Sequence, residues 1–306
     1  MSADARGPVW VVGGCSMDTI IHLDDLPTGA SQTVMARESY QAVGGTGAGK
    51  ALNLKALGLD VCLHTILAND AEGRTVEAVL AEAGIVLEVA AAKALDGSTT
   101  PTEQHVNLML PDGHRLSIYT QPPAAQAATD WTDFAVRCAD ASIVVANILD
   151  YVRAALPAIR ATGKPVWTDL HDYRDGAEYY EDFIEAADVI FLSDTNLDDY
   201  RATMERLITR AELVICTHGE AGATLLDKSG GWHSQVACTV DPVVDTNGAG
   251  DAFFSGFLKG YLLGYTTEDS LKLATACGAL AVGSRSLRGE HLSIETAAAL
   301  VAQQLS

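Results

Sequence analysis

The residues Asp241-Pro-Val-Val-Asp-Thr-Asn-Gly-Ala-Gly-Asp251, followed by Ala-Phe-Phe-Ser-Gly-Phe-Leu-Lys-Gly-Tyr-Leu-Leu-Gly264, join a glycine-rich turn to an apolar run. Phe253, Phe254, Phe257, Leu258, Tyr261 and Leu262 recur at three- and four-residue spacing, which predicts a buried helix beginning near Gly248. The first turn of a helix leaves backbone N–H groups unpaired and carries partial positive charge, so a turn of this kind suits an anion. Gly248, Ala249 and Gly250 let backbone come close to it. Asp251 adds a carboxylate beside the anion, placed to accept a proton from a hydroxyl that attacks a phosphoryl group. The plainer alternative makes Asp251 a first-turn acid that steadies the helix, with the glycines an ordinary loop.

The full string Asp-Thr-Asn-Gly-Ala-Gly-Asp-Ala-Phe, ending at Phe253, resembles the C-terminal signature of the ribokinase/PfkB family of small-molecule kinases. It also lies late in the chain, where that family carries it. The resemblance implies an α/β fold, a ribokinase-like three-layer α/β/α sandwich with a mostly parallel central sheet and a small β-lid. It implies transfer of the γ-phosphoryl of ATP, with Mg2+, to a hydroxyl of a small sugar or sugar derivative. Asp251 would be the catalytic base and the backbone of Gly248, Ala249 and Gly250 the anion hole.

Composition agrees with such a protein. The 306 residues suffice for one large α/β domain or two small ones, and 48% apolar against 20% charged residues predicts a globular chain. A formal net charge of −20 argues against nucleic acid or an anionic membrane surface as partner, since both call for clustered Lys and Arg. Any phosphate must then be held by local backbone, a metal or a few cations. Cys15, Cys62, Cys138, Cys216, Cys238 and Cys277 lie scattered in apolar contexts without a Cys-x-x-Cys pair, which reads as buried thiols in a reducing compartment. The start at Met1-Ser-Ala-Asp leads to a short strand at Val9–Val12, too brief for a signal segment, so a cytoplasmic location is expected.

Along the chain, Val9-Trp-Val-Val-Gly-Gly-Cys-Ser-Met-Asp18 reads as a buried strand ending in glycines, with polar residues at its carboxyl edge, where open α/β sheets bind ligands. Asp18 is thus either a grip for substrate hydroxyls or a turn acid; the resemblance favours the grip, with Ser16 where ribokinases often carry Asn. Residues 20–43 break into short pieces around Pro27 and Gly29, expected as strands outside the main sheet. Gly44-Gly-Thr-Gly-Ala-Gly-Lys50 enters a helix that ends at Gly58. It is one residue short of a P-loop and has Ala51 in place of the magnesium-binding hydroxyl, so that reading fails. The resemblance makes Gly44, Gly45, Thr46 and Gly47 a sugar-holding motif, with Gly49 standing where its Asn is expected. Lys50 reads either as a solvated helix lysine or as a partner for an anionic group on an unusual substrate.

Strand 61–67, helix 70–83 and strand 86–91 give the alternation of β-α-β construction, and 103–110 with 115–119 a hairpin across Pro111-Asp-Gly-His114. Glu103, His105 and Asn107 share a face of that first strand, either solvated or turned to the cleft to read substrate. The lid is assigned to about 18–43 and 98–120 of a single domain spanning 1–306, and lids of this kind allow a homodimer. Further strands are expected at 142–146, 165–169, 189–192 and 213–216, with helices at 151–161, 179–187, 268–282 and 293–305.

By resemblance, Thr217-His-Gly-Glu-Ala-Gly222 is the nucleotide loop, with Thr217, Gly219, Gly222 and Thr246 as its contacts. Ser193-Asp-Thr-Asn196 falls where the family carries Asn-x-x-Glu, leaving Asp194 as the candidate magnesium carboxylate. Asp169-Leu-His-Asp172 stands near the family's Asp-x-Asn pattern without reproducing it. Asp245, the Asn247 carbonyl and loop 285–289 are candidates to frame a monovalent cation such as K+. A sugar kinase is the first expectation. Few aromatic residues precede residue 119 to clamp a base, which disfavours a nucleoside kinase; a catalytically weak sugar- or nucleotide-binding regulatory protein is the third reading.

Overall fold

The structure, a computed structural model, describes residues 7–111, 113–127, 129–240, 243–285 and 287–305. The expectations on Met1–Asp4, on Asp112 in the hairpin turn, on Asp241 and Pro242, and on Ser286 in the candidate cation loop lie outside them.

Short apolar runs such as Val9–Val12 are buried along their whole length, which is how strands read when helices cover both sides of a sheet. The strands are β1 (Val9–Val12), β2 (Ser16–His22), β3 (Glu38–Gly44), β4 (Val61–Leu67), β5 (Val86–Lys93), β6 (Gln104–Met109), β7 (Arg115–Gln121), β8 (Gln126–Ala127), β9 (Ile143–Asn147), β10 (Val166–Asp169), β11 (Val189–Ser193), β12 (Leu213–Thr217), β13 (Ala223–Asp227) and β14 (Trp232–Gln235). The helices are α1 (Thr46–Ala56), α2 (Ala71–Glu82), α3 (Phe134–Arg137), α4 (Asp150–Ala161), α5 (Glu181–Ala186), α6 (Tyr200–Leu207), α7 (Ala249–Leu263), α8 (Thr267–Val282) and α9 (Ile294–Gln304). Among the described residues the main sheet has the order β14-β13-β12-β11-β10-β9-β1-β4-β5-β8. Its centre is parallel, and β13, β14 and β8 are antiparallel additions at its edges.

Two apolar cores lie on the two faces of this sheet. One packs Tyr151, Val152, Phe183 and Met204 of α4, α5 and α6; the other packs Ala48, Leu54, Val76, Phe254, Phe257 and Leu271 of α1, α2, α7 and α8. The result is the expected three-layer sandwich. α7 and α8 pack closely because Gly256 and Gly260 carry no side chain: a Cβ on Gly256 would stand 2.8 Å from Cys277 Sγ, and one on Gly260 2.8 Å from Ser270 Oγ. The cysteines are free thiols, all but Cys62 buried. Among the described residues no helix is long and apolar enough to cross a membrane.

The remaining strands form a second sheet, β3-β2-β6-β7. Of residues 20–43, expected to alternate throughout, only the ends are regular, and 23–37 around Pro27 and Gly29 form no strand. The expected hairpin is present as β6 and β7 in antiparallel register. This small sheet touches the glycine turn. Thr246 Oγ1 donates to Gly113 O at 2.9 Å, and Arg115 donates to Asn247 Oδ1 at 2.7 Å.

Candidate active site

Gly248, with φ of +80°, caps α7 in the left-handed region that glycine tolerates, and its Cα faces Leu287 O so closely that a Cβ would sit 3.0 Å away. Ala249 N–H turns back to Thr246 O at 3.3 Å, and the N–H groups after it belong to the first turn, which an α-helix leaves without internal partners. Around Gly250 the space is open. Asp251 is buried within that turn, and Ser255 Oγ donates to its carbonyl at 2.7 Å.

The Asp251 carboxylate is not alone. Lys50 Nζ donates to Asp251 Oδ1 at 2.5 Å and to Asp169 Oδ2 at 3.0 Å. Lys50 is 0% exposed. The reading of Lys50 as a solvated lysine is therefore corrected: α1 is buried at every residue from Gly47 to Leu54, so it has no wet face at this position. Burial alone would lower the Lys50 ammonium, but the two carboxylates outweigh it and hold it above the usual lysine range. Asp169, at the carboxyl end of β10, is likewise opposed by burial. His171 and Lys50 nevertheless hold it down to about 2. His171 N–H donates to Asp169 Oδ1 at 2.9 Å, and His171 itself sits at φ of +52°, a strained backbone of the kind that gathers at functional sites.

Gly49 lies against the same carboxylate. A Cβ there would stand 2.2 Å from Asp251 Oδ2, so the space of a side chain at residue 49 is filled by the candidate base. The neighbouring glycines have similar reasons. A Cβ on Gly44 would meet the Asp18 carboxylate at 2.2 Å, and one on Gly45, at φ +87°, would meet Gly14 O at 2.7 Å. Gly47 N–H donates to Gly14 O at 3.0 Å, and Thr46 Oγ1 accepts from Asn147 Nδ2.

Asp18 is buried and gathers the expected lid residues. Ser16 Oγ donates to it at 2.6 Å, Asn107 Nδ2 at 2.9 Å, and His105 Nδ1 lies 3.3 Å away. His105 Nε2 meets Glu103 Oε1 at 2.8 Å, and Tyr119 packs against the imidazole with ring centres 4.2 Å apart. The polar face of β6 is thus not simply solvated: its side chains pair with one another and with Asp18. Burial opposes charge on His105, but Asp18 and Glu103 overcome it and push it up to about 9. A group raised above its unfolded value of about 6.5 contributes stability that is complete below pH 6.5 and lost as pH rises through about 9. Melting of the wild type should therefore fall across that window by a contribution on the order of 1–3 kcal/mol. His105→Gln should flatten the dependence; an unchanged profile would remove this assignment.

The remaining predicted residues lie further along the carboxyl edge. Thr217 ends β12, and Gly219 (φ +56°) and Gly222 (φ +105°) flank a 3-10 turn into β13. Gly222 is needed for packing, since a Cβ would stand 2.0 Å from Gln235 O, whereas nothing crowds Gly219. Asp194 N–H donates to Thr217 O at 3.1 Å, and its carboxylate meets His218 Nδ1 at 2.8 Å. Among the described residues no cluster of three or more His, Cys, Asp or Glu could cage a metal. The partly exposed Asp194 carboxylate, with His218 on Oδ2, fits Mg2+, which commonly takes one or two carboxylates and completes its shell with phosphates and water. Asp245 is buried, accepts from Asn247 N–H at 2.7 Å, and is pushed up by burial. Thr246 turns its hydroxyl to the lid at Gly113.

Sequence reasoning missed the contact of Lys50 with Asp169 and Asp251, the part of His171, and Glu103 as a partner of His105. The burial of Lys50, though not its partners, was signalled by the small and apolar Ala48, Ala51, Leu52 and Leu54 around it.

Residues 8–292 match the pfkB family carbohydrate kinase model. The acarbose 7(IV)-phosphotransferase of Actinoplanes sp. is 35% identical over 278 residues, 89% of this chain and 91% of that protein. The fructoselysine 6-kinase of Escherichia coli K12 is 29% identical over 77% of this chain and 88% of its own length. Among solved structures, a microbiome-derived acarbose kinase superposes with a TM-score of 0.84 at 30% identity, covering 97% of this chain and 99% of the other.

Proposed function

The chain belongs to the pfkB family of carbohydrate kinases and is an ATP-dependent sugar phosphotransferase that uses ATP and Mg2+, and from that premise we propose how its own residues divide the work. Asp251 takes the proton of the acceptor hydroxyl as its oxygen attacks the γ-phosphoryl. The backbone N–H groups at Gly248, Ala249 and Gly250, where α7 begins, stabilise the charge on the group in transfer, with Ala249 N–H exchanging its 3.3 Å contact with Thr246 O for the phosphoryl oxygen. The observation that carries this reading is the buried Asp251 carboxylate inside an open glycine first turn. Asp18, Ser16, His105 and Asn107, with the backbone of Gly44, Gly45, Thr46 and Gly49, hold the sugar. Thr217, Gly219, Gly222 and Thr246 face the nucleotide, and Asp194 is the carboxylate that meets Mg2+, whose charge offsets that of the phosphates.

Two finer points have specific support. The buried Asp245 carboxyl is short of compensating charge, which suits a monovalent cation such as K+ beside it. The lid strand β7 exposes Leu116 and Ile118, which suits a homodimer formed through the lid of a single 1–306 domain. The free, mostly buried thiols support a cytoplasmic setting.

Acarbose names the relatives at 35% and 30% identity, so it is the acceptor to test first, beside ribose, fructose, fructoselysine and adenosine. ADP release in K+ buffer, with mass spectrometry of the product, should show one sugar-like acceptor gaining a phosphoryl group. Turnover confined to adenosine would overturn the acceptor assignment.

A further inference from the structure

Lys50 is anchored where three elements meet: it stands on α1, and its ammonium reaches Asp169 at the end of β10 and Asp251 in the first turn of α7, 5.0 Å from the centre of the Phe254 ring. A fully buried lysine is costly to desolvate and persists only when its charge is closely paired. Here it is paired twice. One ammonium thus stands between two carboxylates. The carboxylate of Asp251 is held at Oδ1 by the ammonium, and Oδ2 lies over the bare Cα of Gly49, which carries no side chain to cover it. Asp169 is fixed in turn, because His171 donates its N–H to Oδ1 and places Nδ1 3.4 Å from Oδ2.

We propose that Lys50 is the positioning residue of the base: it holds Asp251 Oδ1, so that Oδ2 meets the acceptor hydroxyl, while Asp169 and His171 hold Lys50. This rests on the reading of Asp251 as base. In the transfer, the acceptor O–H bond breaks and its proton goes to Asp251 Oδ2. The acceptor oxygen bonds to the γ-phosphorus, and the β–γ bridging oxygen leaves with its electron pair on ADP. Lys50 neither gains nor loses a proton. Its ammonium bonds Asp251 Oδ1 and Asp169 Oδ2 at once, and the titratable groups facing it are Asp169, Asp251 and His171.

The test compares Lys50→Met, Asp169→Asn and the double variant. Lys50→Met should lower kcat by roughly 30-fold or more, leaving KM for ATP and for the acceptor within about threefold. The acidic limb of its kcat profile should move up by about one pH unit, since two buried carboxylates lose their shared cation. Asp169→Asn should move that limb down, because Lys50 then serves Asp251 alone. The single Lys50→Met protein carries unpaired buried charge and is expected to melt early. The double variant removes one of those charges, and should recover melting but not kcat. Recovery of kcat in the double variant, or a rate loss with an unmoved limb, would reduce Lys50 to a structural role and overturn the proposal. A wild type that phosphorylates no acceptor would sink the base reading instead; carboxyl 13C titration of Asp251, moving upward in Lys50→Met, would still support the Lys50 contact, and an unmoved titration would refute it.

Discussion

Asp251→Asn is expected to lower kcat by about 10²–10⁴-fold, the usual worth of a placed general base. The substitution keeps the size of the side chain, and its amide oxygen can still accept from Lys50, which retains Asp169 as a charged partner. Folding should therefore survive, with a melting temperature within about 4 °C of the wild type for a chain of this size. ATP affinity should also survive, because the anion turn is backbone. Calorimetric ATP binding and acceptor-dependent ADP release, measured on the same preparation, separate the two effects. A variant that binds ATP and retains more than a tenth of the wild-type kcat would take the proton-accepting role away from Asp251.

Gly49→Asn is the second large effect, and its direction is the informative part. Asn is the residue that the resembling motif carries there, so similarity alone would predict a gain. The structure predicts a loss. Any Cβ at residue 49 would meet Asp251 Oδ2 at 2.2 Å, and that carboxylate cannot swing aside without giving up its 2.5 Å contact with Lys50. Displacing a catalytic atom by about 1 Å costs on the order of 10²-fold in rate. Gly49→Ala should lose nearly as much, since the clash begins at Cβ. The stability cost should be modest, about 1–3 kcal/mol, because the group in the way is the end of a side chain. A Gly49→Asn enzyme with wild-type kcat would show that the carboxylate is free to move, and with it that Lys50 does not hold it.

The fold was readable because its signals are local. The continuous apolar strands, the glycines that follow α1, α2, α4, α7 and α8, and the three- to four-residue spacing after Asp251 are properties of neighbouring residues, and the order of elements follows from them. The glycine turn and the place of Asp251 in the first turn of α7 belong to the same class, since turn and helix start lie within a few residues. The lid was readable in outline only. Residues 23–37 form no strand, and Pro27 and Gly29 mark breaks in the chain without saying what lies between them. The Lys50 contact was illegible for a different reason. Its partners are 119 and 201 residues away, and nothing near Lys50 in the chain names them. The same holds for His105 and Asp18, brought together by parallel pairing of β2 with β6. Sequence placed Asp18 at a strand's carboxyl edge and His105 on a polar strand face; only the register showed that they share one cluster.

The most direct test of the central claim is a crystal structure of the enzyme with ADP, Mg2+, aluminium fluoride and the acceptor found in the panel. The account predicts the fluoride against the first-turn N–H groups of α7, with the acceptor hydroxyl within about 3 Å of Asp251 Oδ2. Lys50 should remain on Oδ1. An acceptor oxygen out of reach of Asp251, or fluoride held away from the glycine turn, would contradict it.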